Sequence, residues 1–250
     1  MERKITQKLI EWKSDPDRLP LIITGCRQIG KTYSIKEFAS NEYSSSVYIN
    51  FEIDPDKKGI FKGNRNTEDL ISKIVLSENI RLTPGRSAII LDEIQACPEA
   101  YSALKPLSED RRFDVICSGS FLGINLDDSD SLSPLGYATI LPMYPMDFEE
   151  YLWAMGINKE VISAVRSDIR DRERIDDYLH TVFIEHFRRY MVVGGMPAAV
   201  KKYSETQDYV RTYDVLKNIM DMVQKDAGKY SRKTDRMKIN RCLESIPHQL

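Results

Sequence analysis

The stretch Gly25-Cys26-Arg27-Gln28-Ile29-Gly30-Lys31-Thr32 fits G-x-x-x-x-G-K-[ST], the pattern of a phosphate-binding P-loop. Each part of the pattern has a physical job. The glycines let the backbone curl so that successive N–H groups point inward at a phosphate. Lys31 is expected to reach the β- and γ-phosphates, and the Thr32 hydroxyl to sit on Mg²⁺. Context supports the match. Leu19-Pro20-Leu21-Ile22-Ile23-Thr24 reads as a buried parallel strand entering the loop. Lys31 to Ser40 reads as a helix leaving it, with Ile35, Phe38 and Ala39 on one face. Strand, loop and helix together place bound phosphates on the helix N-terminus. Gly25, Cys26, Arg27, Gln28, Ile29, Gly30, Lys31, Thr32 and Tyr33 are therefore the expected nucleotide-binding residues.

A hydrolytic site also needs carboxylates. Ala88-Ile89-Ile90-Leu91-Asp92-Glu93 supplies two at the C-terminal end of an apolar run. Ligands of open α/β sheets bind at strand C-termini. Asp92 is expected to hold Mg²⁺ with Thr32, and Glu93 to polarise an attacking water. A water-activating base also argues against a small-metabolite kinase. A further buried strand, Phe113-Asp114-Val115-Ile116-Cys117, ends in Ser118-Gly119-Ser120. Ser118 and Ser120 are both candidates to contact the γ-phosphate or the water, and the sequence does not choose between them.

With these residues in place, the chain resembles a large family of bacterial and archaeal AAA-like ATPases whose members carry a C-terminal domain of unknown function. The resemblance rests on Gly25–Thr32 and on Leu91-Asp92-Glu93-Ile94-Gln95 followed by Pro98 and Leu104-Lys105. Ser118-Gly119-Ser120, the run Leu141 to Tyr151 containing Pro145-Met146-Asp147-Phe148-Glu149-Glu150, and Gly194-Gly195-Met196-Pro197 extend it over nearly the whole chain. It implies ATP as the nucleotide, Mg²⁺ as the metal, and self-association or a protein partner. Two departures stand out. Many members carry Gly-Arg where this chain has Gly136-Tyr137, and members run beyond 250 residues, so the chain reads as truncated inside a helical domain.

Composition sets the bounds. Hydrophobic residues make up 42%, enough for a core, and the net charge of −2 gives no global attraction to nucleic acid or acidic lipid. No stretch approaches the ~18 apolar residues of a membrane span. Cys26, Cys97, Cys117 and Cys242 form no CxxC pair, which fits reduced thiols in a cytoplasmic protein.

The remaining periodicity gives a helix over 2–13, a strand at Val47–Phe51, a loop from Asp54 to Arg65, and a helix from Thr67 to Asn79. A helix from Pro98 to Ser108 joins the two acidic and serine-ended strands, and Thr139–Pro142 is an edge strand. The fold class is α/β: a P-loop NTPase three-layer sandwich with a parallel central sheet, then an all-helical lid- or winged-helix-like region. The expected boundaries are 1–146 for the ATPase core, 147–205 for the lid and 206–250 for an incomplete helical domain. Asp147 with Glu150 makes a capping-box start. Ile175, Tyr178, Leu179, Val182, Phe183, Phe187, Tyr190 and Met191 trace a stripe expected to be core. Ser204 with Gln207 offers a cap to a helix running on to Gln224. An acidic loop at Asp127, Asp128 and Asp130 lacks EF-hand spacing and reads as solvated.

Three functional readings follow. The first is Mg-dependent ATP hydrolysis with slow basal turnover, because residues 119–140, where AAA-type proteins often carry an arginine finger donated to a neighbouring subunit, hold no Arg or Lys. Arg111, Arg112, Arg188 and Arg189 are the substitutes. The second is a regulatory nucleotide switch acting on a protein partner. The third is a DNA-handling ATPase, supported only by Lys225, Lys229, Arg232, Lys233, Arg236, Lys238 and Arg241.

Overall fold

The computed structural model describes residues 1–63, 66–120 and 136–227, together with 238, 241, 242 and 245. Asp127, Asp128 and Asp130 lie outside the described residues, as do Lys229, Arg232, Lys233 and Arg236 of the basic stretch. Among the described residues, no helix is long and apolar enough to cross a membrane. The chain divides into two compact units: Ile5–Met143, and Met1–Lys4 with Tyr144 onward.

In the first unit, α1 (Ile5–Ser14) leads to β1 (Leu21–Thr24), α2 (Lys31–Glu42) and β2 (Ser45–Asn50). Then follow α3 (Thr67–Glu78), β3 (Ser87–Asp92), α4 (Pro98–Asp110), β4 (Asp114–Gly119) and β5 (Thr139–Pro142). The five strands form one sheet in the order β2-β3-β4-β1-β5, all parallel. Parallel strands need crossovers, and the intervening helices supply them on the two sheet faces. Val47, Ile49, Ile89, Leu91, Val115, Cys117 and Ile22 fall on one face in register and pack with α3 and α4 through Leu70, Ile74, Ala100, Leu104 and Leu107. α2 packs across β2, β3 and β4, and α1 packs on α2. Three layers result, and every residue of β1 and β3 is buried. Burial pushes the Cys117 thiol pKa upward.

One reading changes here. Pro55–Phe61, expected to be loop, winds into a 3₁₀ helix with proline in its first turn. Phe61 explains it, because that ring is buried edge-on against Phe51 at the end of the sheet and pulls the charged segment into register.

Among its described residues the second unit has only helices as regular elements: α5 (Phe148–Ala154), α6 (Lys159–Asp171), α7 (Asp177–Val193), α8 (Pro197–Thr206) and α9 (Tyr209–Ala227). The capping box forms at α5. The Asp147 carboxylate accepts from the Glu150 N–H at 2.9 Å, and Glu150 accepts from the Asp147 N–H at 3.1 Å. Glu150 is also buried against Arg3, whose Nε donates to it at 3.1 Å, and the Lys4 N–H donates at 2.7 Å. A buried carboxylate held by a guanidinium and two backbone N–H donors has its desolvation compensated, so the first four residues fold onto this unit.

The α7 stripe is wider than the face that packs. Phe183 and Tyr190 join the cluster around Tyr151, whereas Tyr178 and Met191 are 75% and 69% exposed. Pro197 opens α8 as its first residue rather than merely blocking α7. Gln207 closes α8 in the left-handed region, and Asp208, not Ser204, accepts from the first N–H groups of α9.

Gly195 has a steric reason. Met146 N–H donates to Gly195 O at 2.7 Å, and a Cβ at Gly195 would lie 2.2 Å from the Met146 carbonyl oxygen. Backbone meets backbone there, so nothing flexible can yield. Gly195→Ala is expected to lower the stability of this unit by about 1–3 kcal/mol in urea denaturation. An unchanged midpoint would contradict this packing.

Candidate functional site

The loop after β1 is held by close backbone approach. Met143 N–H donates to Thr24 O at 2.7 Å, and a Cβ on Gly25 would stand 2.3 Å from Met143 O. Only glycine fits, and its φ of 155° suits the turn. Ile29 is fully buried and pins the middle of the loop. Arg27 pairs with Glu52 at 2.7 Å, beyond the end of β2. Cys26 is exposed. Tyr33 is exposed as well, and its hydroxyl donates to Glu37 one turn along α2, so its side chain lies apart from the loop.

Lys31 opens α2 and is buried. Its Nζ donates to Gly25 O at 2.9 Å and Cys26 O at 2.8 Å. Burial holds its pKa below the usual lysine value, with the charges of Glu93, Cys26 and Asp92 opposing the shift. A buried ammonium on neutral carbonyls is poised for exchange, because an anionic phosphate oxygen is a better acceptor than either carbonyl.

The strand order builds the rest. β4 lies between β1 and β3, so its C-terminal serines sit between the loop and the acidic pair. Side chains alternate along a strand, so Asn50, Asp92 and Ser118 share the face that α2 covers. Asp92 is the meeting point. Its Oδ2 accepts from Thr32 Oγ1 at 3.0 Å, Tyr48 OH at 2.6 Å and Asn50 Nδ2 at 3.0 Å. Its Oδ1 accepts from Ser118 Oγ. Burial, and then the bond to Asp92, push the Tyr48 phenol pKa upward. Lys36 Nζ stands 3.5 Å from the centre of that ring. Thr32 and Asp92 offer the hydroxyl and carboxylate oxygens that a hard divalent cation such as Mg²⁺ takes.

Glu93 follows with φ 54°, a left-handed conformation uncommon for a residue with a side chain. Its N–H donates to Ser118 Oγ at 3.3 Å, and its Oε2 accepts from Gln95 Nε2. The two serines are thus distinct: Ser118 is bound to Asp92 and Glu93, whereas the buried Ser120 Oγ has no hydrogen-bond partner.

Sequence reading missed Tyr48, Asn50 and Gln95. A polar Asn closing an otherwise apolar strand was the available signal for Asn50. Arg111 and Arg112 lie at the start of β4, the opposite end from Ser118, and pair with Asp17 at 3.5 Å and with Asp110 and Glu68 at 2.7 and 2.9 Å. They therefore lie away from this chain's own loop and acidic pair. Tyr137 takes the Lys105 ammonium 5.0 Å from its ring centre.

A family model described as an AAA domain matches residues 17–152, more than half of the chain. A second, described as a domain of unknown function (DUF8612), matches residues 184–250. No curated protein matches. Among solved structures, the chain is similar to Drosophila ORC bound to DNA, with 12% identity, 85% of this chain and 65% of that one covered, and a TM-score of 0.45. It is similar to the Aeropyrum pernix ORC1 protein in complex with DNA, with 14% identity, coverage of 89% and 65%, and a TM-score of 0.42. For C. elegans PCH-2 the values are 12%, 87%, 61% and 0.39. The chain thus spans less than two thirds of the length of each of these structures.

The buried Lys31 charge carries a stability cost. Its folded pKa lies below the ordinary 10.5, so the unfolded chain binds more protons between the two values. The cost is present at neutral pH and is relieved only as pH rises through the folded value. Lys31→Met is expected to abolish nucleotide binding while leaving the denaturation midpoint at pH 7 at or above that of the unsubstituted protein. A midpoint that falls along with binding would contradict this.

Proposed function

The chain belongs to the AAA domain family, and from that premise we propose that it is a Mg²⁺-dependent ATP hydrolase with slow basal turnover. The observation that carries this reading is the 3.0 Å contact between Thr32 of the loop and Asp92 at the end of β3. It joins the phosphate-binding half of the site to the acidic half.

Each residue has a part. The N–H groups from Cys26 to Lys31, at the start of α2, receive the phosphates. Lys31 exchanges its two loop carbonyls for β- and γ-phosphate oxygens. Thr32 and Asp92 would hold Mg²⁺, which would supply positive charge to offset that of the phosphates. Glu93 accepts a proton from the attacking water. Ser118 keeps Asp92 and the Glu93 backbone in place, and Ser120, buried with an uncommitted hydroxyl, senses the γ-phosphate. The acceleration comes from donors and charges fixed before reaction. Adenine as the base follows from the family.

The position of Arg111 and Arg112 at the far end of β4 favours a second reading, a regulatory switch. With these two arginines paired at that end of the sheet, the chain would hold ATP for long periods. A partner, or a second copy, would then supply the missing charge and read the bound state.

Purified protein is expected to turn over fewer than about one ATP per second, since a supplied arginine adds ~10³–10⁵ in rate. Glu93→Gln is expected to keep Mg-ATP affinity and lose turnover by about 100-fold or more. Hydrolysis that survives Glu93→Gln would overturn the proposal.

A further inference from the structure

Gln95 touches the group that would take the proton, Glu93. It sits in a single 3₁₀ turn, Ile94–Ala96, that Glu93 opens. The turn is closed by Ala96 N–H to Glu93 O and Cys97 N–H to Ile94 O, both at 2.9 Å. Ile94 and Cys97 are fully buried on either side. Backbone and flanking side chains therefore fix the Gln95 side chain relative to Glu93.

The amide ends do different things. Nε2 donates to Glu93 Oε2. Oε1 is buried and has no hydrogen-bond partner. An uncompensated buried acceptor costs roughly 1–3 kcal/mol, and such groups in folded proteins are usually satisfied by water or a ligand. Both ends branch from one carbon, so this orphan acceptor lies beside the Glu93 carboxylate. Oε1 is closed to solvent in this structure, and a water admitted there with the nucleotide would find two acceptors, one from each residue.

Resting on the hydrolytic reading above, we infer that Gln95 is a water-positioning residue of this site: its Nε2 orients the Glu93 carboxylate and its Oε1 accepts the second hydrogen of the attacking water. In the reaction the water oxygen forms the new bond to the γ-phosphorus. The bond to the β–γ bridging oxygen breaks, and that oxygen leaves with ADP. One water proton passes to Glu93. The other stays with the phosphate product, so the Gln95 amide gains and loses no proton. The amide acts by fixing the direction of attack, a geometric contribution to rate.

The test compares the full chain with Gln95→Met, which keeps length and volume but has neither amide end. Mg-ATP affinity, melting temperature and kcat are read separately. We expect kcat to fall about 10- to 100-fold, with the Kd for Mg-ATP within about twofold and melting unchanged. A kcat equal to that of the unsubstituted protein overturns the inference, and a raised one overturns it by showing that Gln95 restrains Glu93. If Gln95→Met melts early, the isosteric Gln95→Glu decides. It keeps an acceptor oxygen but sets a carboxylate against Glu93, so a comparable fall supports the inference and unchanged turnover overturns it. Failure of the underlying reading looks different, because the unsubstituted protein would then bind Mg-ATP without hydrolysing it.

Discussion

A buried carboxylate, Asp92, orders this site. It is almost fully removed from solvent and accepts hydrogen bonds from Thr32, Tyr48, Asn50 and Ser118. Burying a charge is costly unless donors surround it, and here they come from α2, β2 and β4. Those elements are far apart in sequence. The parallel order β2-β3-β4-β1-β5 and its register bring them to one end of β3. A one-residue slip of β2 would turn Asn50 to the other face and leave Asp92 short of a donor, so the polar end of the sheet specifies register as firmly as its apolar middle.

The phosphate loop depends on the same frame from the other side. Gly25 is pressed against the Met143 carbonyl and Ile29 is buried beneath the loop. Lys31 is therefore desolvated before any anion arrives. Thr32 then meets Asp92 because α2 crosses β2, β3 and β4 on the face where Asp92 emerges. Fixed donors and a desolvated cation are what phosphoryl transfer asks of a protein. The left-handed Glu93 and the turn that carries Gln95 continue this logic beyond β3, in a backbone held by its own hydrogen bonds.

The sequence made the loop, the acidic pair and the α/β class legible because each is local. A glycine pattern between an apolar run and a helix, or two acids after four apolar residues, needs no knowledge of strand order. Tyr48, Asn50 and Gln95 were not legible because their roles exist only across the sheet or through one turn's side-chain geometry. Ser118 and Ser120 were indistinguishable for the same reason. The α7 stripe misled because periodicity reports where apolar residues lie on a helix, not how much of that face a neighbour covers, and Tyr178 and Met191 fall outside it. Arg111 and Arg112 stand just before the serine-ended strand, and its six residues put them at the opposite end of the sheet from Ser118.

The central claim is that Thr32 and Asp92 together make the metal-holding element that links the loop to the acidic strand. The direct measurement is calorimetric titration of ATP into the protein with and without Mg²⁺, for the unsubstituted chain and for Thr32→Val, which keeps the shape and removes the hydroxyl. The account predicts that Mg²⁺ tightens ATP binding in the unsubstituted chain and that this enhancement is largely lost in Thr32→Val, with binding in the absence of metal retained. Equal enhancement in both proteins would contradict it.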